Sequence, residues 1–163
     1  MSELETACRT VVERCLAVQP GENVLVVCDP TRLDIAQALQ GAAIAAGGDA
    51  VLTILPPRPE RGTEPPPPVA AAFAKCDVYL APCLPSLSHT KARNGATENG
   101  ARGATLPGVE RDMFARLMSV SFDEMSVRSK QVADLLTEAD EAHFTCPNGS
   151  DFTLDLRGRT AIA

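Results

Sequence analysis

The segment Pro85-Ser86-Leu87-Ser88-His89-Thr90 sets an imidazole among hydroxyl groups, directly before a stretch that reads as a helix. A histidine so placed can act as a base near neutral pH, or hold a substrate by a hydrogen bond. The competing reading is that Ser88 or Thr90 caps the helix and His89 is merely half-exposed beside it. Asp29, just before another helix, reads as an N-cap that satisfies free amides. Ser86 lacks an acidic partner at recognisable spacing and the glycines of a nucleophile elbow, so serine-hydrolase chemistry is disfavoured. His143 sits beside Phe144 in a strand-like run and reads as a packed or interfacial residue. Gly95, Gly100, Gly103 and Gly108 form neither a dinucleotide fingerprint nor a phosphate-binding loop. Cys8, Cys15, Cys28, Cys76, Cys83 and Cys146 contain no Cys-x-x-Cys pair and read as buried free thiols. With His89 and His143 the only histidines, no zinc-ligand spacing is present.

These groups acquire meaning only through the elements that position them. Ser2 and Glu5 make a capping-box pattern, after which Leu4, Ala7, Cys8, Val11, Val12, Cys15 and Leu16 recur at helical spacing. Pro20-Gly21 ends that helix, and Asn23 to Cys28 is an almost wholly apolar run, as expected of a strand covered on both faces. Asp29-Pro30 opens a helix through Ile44, Gly47-Gly48 closes it, and Ala50 to Leu55 forms a second strand. Val69 to Lys75 predicts a short helix, Asp77 to Ala81 a third strand, Thr90 to Gly100 a helix and Ala104 to Leu106 a brief fourth strand. The alternation predicts an α/β fold: an open, Rossmann-like, mostly parallel sheet with helices on both faces, functional at the carboxyl ends of its strands. Asp29, the proline-rich loop from Pro56 to Pro68 and the His89 segment would meet there. That loop, with Arg58, Glu60, Arg61 and Glu64, suits a spacer or a subunit contact, or is an exposed loop with no role.

After a helix carrying Met113, Phe114, Leu117 and Met118, and another capped by Ser121, the alternation stops. His143 to Cys146 and Asp151 to Leu156 read as an antiparallel hairpin joined across Pro147-Asn148-Gly149-Ser150. The expected division is an α/β domain over residues 1–140 and the start of a second, truncated domain over 141–163. Phe152, Leu154 and Leu156 alternate onto one face with no cover in view.

A formal charge of −6, with Lys and Arg scattered singly, argues against a nucleic-acid partner. No apolar run approaches the roughly 20 residues a membrane span needs, and the first residues lack a leader pattern. The expected compartment is the cytoplasm.

Pro20-Gly21-Glu22-Asn23-Val24-Leu25-Val26-Val27, Pro85 to Arg93, Gly100 to Gly108, and Cys146 to Phe152 followed by Arg157-Gly158-Arg159 resemble, in order and spacing, the M29-type leucyl aminopeptidases. The likeness is closest to the branch that also contains 2,5-dihydroxypyridine 5,6-dioxygenases. Ser150 and Phe152 depart conservatively from the family's pattern. The resemblance implies an amino-terminal α/β domain of a homodimeric metal-dependent enzyme whose zinc, cobalt or iron ligands lie beyond this chain, with none inside it. It implies hydrolysis of amino-terminal residues from peptides or, alternatively, dioxygenase chemistry on a small hydroxypyridine. It also implies that Ser86, His89 and Thr90 border the cleft, His89 as catalytic residue and Ser86 and Thr90 as substrate contacts. A non-catalytic α/β dimerisation module is the remaining alternative.

Overall fold

The computed structural model of the chain describes residues 2–56 and 62–163; Arg58, Glu60 and Arg61 of the proline-rich segment lie outside that range. Four strands, β1 (Asn23–Cys28), β2 (Asp49–Ile54), β3 (Val78–Ala81) and β4 (Arg102–Thr105), form a parallel sheet in the order β2-β1-β3-β4. Between them run α2 (Leu33–Ala45), α3 (Pro67–Phe73) and α4 (Lys91–Glu98), with α1 (Glu3–Arg9) before β1 and α5 (Arg111–Leu117) after β4.

The apolar run of β1 explains why the sheet is covered on both sides. Val24, Val26 and Cys28 pack with Leu4, Cys8 and Val12 of the first helix, Ile35 and Leu39 of α2, and Phe114 of α5. Leu25 and Val27 point the other way, into Val69 and Phe73 of α3, Tyr79 and Ala81 of β3, and Ala96 of α4. Each large aliphatic group buried in these two cores contributes about 1.5–3 kcal/mol. The doubly wound α/β arrangement expected from the alternation is therefore the one observed.

The first helix departs from the expected regular winding. The capping box is present, with Glu5 accepting from the Ser2 amide at 2.7 Å. From Thr10 to Cys15, however, the chain winds as a π-helix, and the Leu16 amide bonds the Val11 carbonyl five residues back at 2.9 Å. The wider turn brings Leu16 into the core and leaves Cys15 exposed, correcting the expectation that all six thiols are buried. Cys8, Cys28 and Cys83 are buried, while Cys76 and Cys146 are half-exposed.

Two of the sequence stretches noted above meet at the amino ends of the strands. Arg102 forms a bidentate pair with Glu22, at 2.8 and 2.6 Å, and donates to the carbonyls of Leu16 and Ala17. Asp77 accepts from both the amide and the side chain of Asn23. These contacts brace the sheet at the end opposite His89.

The chain packs as two compact units, Met1–Ser119 and Val120–Ala163. The second contains α6 (Phe122–Glu138), capped by Ser121, and the hairpin of β5 (Glu141–Thr145) and β6 (Asp151–Asp155). Gly149 turns the hairpin at φ +92°, a backbone conformation glycine adopts without strain. Phe144 and Phe152 are opposed in register and stack at 5.1 Å, and Leu154 lies opposite Ala142 on the same face. Leu156 falls beyond β6 and is half-buried, its amide on the Asp140 carbonyl. Phe144, Phe152 and Leu154 are each about half exposed, and such a patch drives association. Replacing Phe152 and Leu154 by serine is expected to reduce concentration-dependent association of this chain in sedimentation velocity. Unchanged association would show that the patch is not responsible. Among the described residues, no helix is long and apolar enough to cross a membrane.

Candidate functional site

The strand order reverses between β1 and β3, since α2 carries the chain outward to β2 while α4 carries it the opposite way to β4. In open parallel sheets a reversal opens a crevice at the strands' carboxyl ends, and ligands collect there. Here the crevice lies between Asp29, which follows β1, and the β3–α4 loop that carries His89.

The loop has been drawn down onto the crevice. Asp29, only 5% exposed, accepts the Leu84 amide on Oδ2 at 2.5 Å, across 55 residues of sequence. Its Oδ1 accepts the Thr31 amide at 2.8 Å and the Thr31 hydroxyl. Burial pushes its carboxyl pKa up, but the Thr31 hydroxyl, the Leu84 and Thr31 amides and the nearby Arg32 charge outweigh it and hold the group below the ordinary carboxylate value. The neighbouring Cys83 thiol donates to the Val27 carbonyl at 3.3 Å, and burial pushes it up to about 12. What remains between Asp29, Leu55, Cys83, Ser86 and Leu87 is a void of about 10 Å³, too small for a substrate. Among the described residues, the outer surface of the loop is the face of this segment left open to a ligand.

That surface is firmly backed. The Ser86 hydroxyl donates to Ser88 Oγ at 2.9 Å and accepts the Ser88 amide, and Ser88 Oγ pairs with Thr105 at 2.7 Å. Arg93 donates from Nε to the Ser88 carbonyl at 2.8 Å and from a terminal nitrogen to the same oxygen. Thr90 has no exposed surface: its hydroxyl donates to the Leu87 carbonyl at 2.8 Å and caps α4 by accepting the Arg93 amide. Ser86 is half-buried and His89 exposed, with no side-chain hydrogen bond to His89 among the described residues. Ser86, His89 and Thr90 thus share one braced loop, with His89 exposed, Ser86 half-buried and Thr90 fully buried.

Glu64 closes off another use of the site. Its carboxylate accepts the Lys91 amide at 2.5 Å and the Ala92 amide at 3.2 Å, so the helix start that could attract an anion already holds one.

Among the described residues, no three His, Cys, Asp or Glu side chains cluster as metal ligands. His143 does find one carboxylate, Asp151, at 2.7 Å on the exposed polar face of the hairpin. The described residues therefore do not fit a metal site.

Several supports of the site escape sequence reading. Glu64 sits in the proline-rich stretch without a local cue. Thr105 could have been suspected, because the last residue of a parallel strand lies at the functional edge. Asp29 gave a capping signal that is correct for Thr31 but says nothing of Leu84.

Depressed carboxyl values carry a pH prediction. Asp29, Glu22, hydrogen-bonded by Arg102, and Asp77, hydrogen-bonded by Asn23, all titrate below their ordinary values. A group whose folded pKa is lowered contributes stability that is complete above the unfolded value and lost as pH falls through the folded one. Thermal stability is therefore expected to be level down to about pH 4 and to fall below it, with Asp29→Asn losing less across that interval. A wild-type profile flat to pH 2 would contradict this.

Residues 3–163 match the family model described as NicX: 2,5-dihydroxypyridine 5,6-dioxygenase. No curated protein matches the chain in sequence. Among solved structures, the 2,5-dihydroxypyridine dioxygenase from Pseudomonas putida KT2440 superposes with a TM-score of 0.67 at 18% identity, over 95% of this chain and 48% of that one. Wild-type AmpT from Thermus thermophilus superposes with a TM-score of 0.56 at 14% identity, over 94% of this chain and 53% of that one. At such identities the likeness is one of fold, and the chain spans about half the length of either structure.

Proposed function

The chain belongs to the NicX, 2,5-dihydroxypyridine 5,6-dioxygenase, family, and on that premise we propose that it forms the amino-terminal α/β half of a metal-dependent enzyme that opens a dihydroxylated pyridine ring with dioxygen. The family match over residues 3–163 is the observation that carries this reading. In such a reaction one oxygen atom adds to each of ring carbons 5 and 6, and both the O–O bond and the carbon–carbon bond between positions 5 and 6 break. The ring supplies the electrons, so no external reductant is consumed. A divalent metal, with ligands outside the described residues, belongs to this proposal.

The residues of this chain would bind and orient. His89 takes or holds a proton at a ring hydroxyl, an exchange suited to an imidazole near neutral pH. Ser86 borders the same surface, and Thr90 serves through the helix cap it makes. A hydroxypyridine is small, planar and polar at its edge, which suits an exposed imidazole on a rigid loop better than a deep apolar pocket would.

A second reading, removal of amino-terminal residues from peptides by a homodimeric metalloenzyme, rests on the sequence stretches that resemble leucyl aminopeptidases. One experiment separates the two. The product of the whole reading frame, stripped of metal by a chelator and reloaded with iron, zinc or cobalt in turn, is given 2,5-dihydroxypyridine in air and, separately, a leucyl peptide. Loss of the pyridine absorbance that depends on added iron is the expected result. Release of free leucine with the pyridine untouched would favour the peptidase, and neither activity would favour a non-catalytic α/β module.

A further inference from the structure

We propose that Asp29 is the positioning residue of the His89 loop: its carboxylate, fixed to β1, holds the segment that presents the imidazole. This deepens the reading above and rests on it.

Taking a carboxylate's charge out of water is expensive unless hydrogen bonds replace the water, so the 5% exposed Asp29 depends on the bonds that it accepts. Asp29 uses one oxygen on its own turn, at Thr31, and the other on Leu84, which stands five residues before His89. The first bond alone would make a sufficient cap. The second joins two loops that leave different strands at the point where the sheet order reverses.

The Asp29–Leu84 bond ties the start of the His89 loop to the residue that follows β1. Cys83 adds its thiol bond to Val27, and the Gly108 amide bonds the Cys83 carbonyl at 3.0 Å. Further along, the Ser86–Ser88–Thr105 chain and Arg93 fix the loop to β4 and α4. Leu84 itself is 53% exposed although its amide is locked, so burial of its side chain does not hold it. Without the carboxylate, the loop's first half loses its charged anchor, and the backbone that presents the imidazole is held by the later contacts alone. A displacement of about 1 Å at a reacting group can cost on the order of 100-fold in rate.

The test uses the product of the whole reading frame as wild type, Asp29→Ala, Asp29→Asn, His89→Ala and the double variant Asp29→Ala/His89→Ala. Turnover of 2,5-dihydroxypyridine is measured together with deuterium exchange at the Leu84 amide. Asp29→Ala is expected to lower kcat by about 10- to 100-fold with KM little changed. Asp29→Asn keeps the shape and one acceptor, so it guards against simple misfolding and should fall between. In the double variant the loss should be no greater than for His89→Ala alone, because two residues acting as one unit are not additive. The Leu84 amide should exchange faster in both Asp29 variants and at the wild-type rate in His89→Ala. Multiplying losses, or unchanged Leu84 exchange, would overturn the positioning role while leaving the functional reading intact. A wild-type rate in His89→Ala would instead sink the functional reading, and the positioning role with it.

Discussion

His89→Ala is expected to reduce turnover by the product of the whole reading frame by about 100-fold or more, the usual scale for a lost general acid or base. The fold should hardly notice. His89 is exposed and its side chain bonds no described residue, and surface substitutions of this kind change stability by about 0.5 kcal/mol or less. Ser86→Ala is the companion measurement. The Ser86 hydroxyl bonds Ser88 within the loop, so its removal should cost less than removal of the imidazole. A larger loss at Ser86 would reverse the two roles, and a His89→Ala enzyme with near wild-type rate would make His89 a helix-flanking residue only.

Gly103→Ala should lower stability by about 1–3 kcal/mol and the melting temperature by roughly 2–12 °C. Gly103 faces Tyr79 across the β3–β4 register. A Cβ there would stand 2.3 Å from the Tyr79 carbonyl oxygen and 2.5 Å from its ring. Both obstacles are fixed, since the carbonyl belongs to a central strand and the ring packs edge-on against Phe73 at 5.6 Å, with its hydroxyl on Thr97. Calorimetry decides it: an unchanged melting temperature would mean that β4 can slide away from β3. The substitution is also expected to shift Thr105, which pairs with the Ser88 hydroxyl at 2.7 Å, so activity should fall with stability.

How far the sequence revealed this arrangement depends on whether each feature is set locally. The apolar run of β1 announced a strand buried on both faces, because a parallel sheet between two helical layers leaves no polar face. Ser121 and the Asn148-Gly149 turn marked α6 and the hairpin, since caps and turns are written in a few adjacent residues. The π-helical turn was invisible, as the apolar spacing from Leu4 to Leu16 fits regular winding, and Cys15 was consequently turned the wrong way. Contacts that cross the sheet were illegible for a different reason. Asp29 with Leu84 and Arg102 with Glu22 depend on which strands become neighbours, and strand order is not a periodic property of the chain. Topology placed the His89 loop at the carboxyl end of β3, while the bonds that hold the loop depend on contacts between distant residues.

A dioxygenase reaction is tested most directly by following the oxygen atoms. The iron-loaded product of the whole reading frame is supplied with 2,5-dihydroxypyridine under labelled dioxygen, and the ring-opened product is weighed by mass spectrometry. Incorporation of two labelled atoms into one molecule of product, without added reductant, is the predicted result; product carrying oxygen only from water, or no ring opening at all, would contradict it.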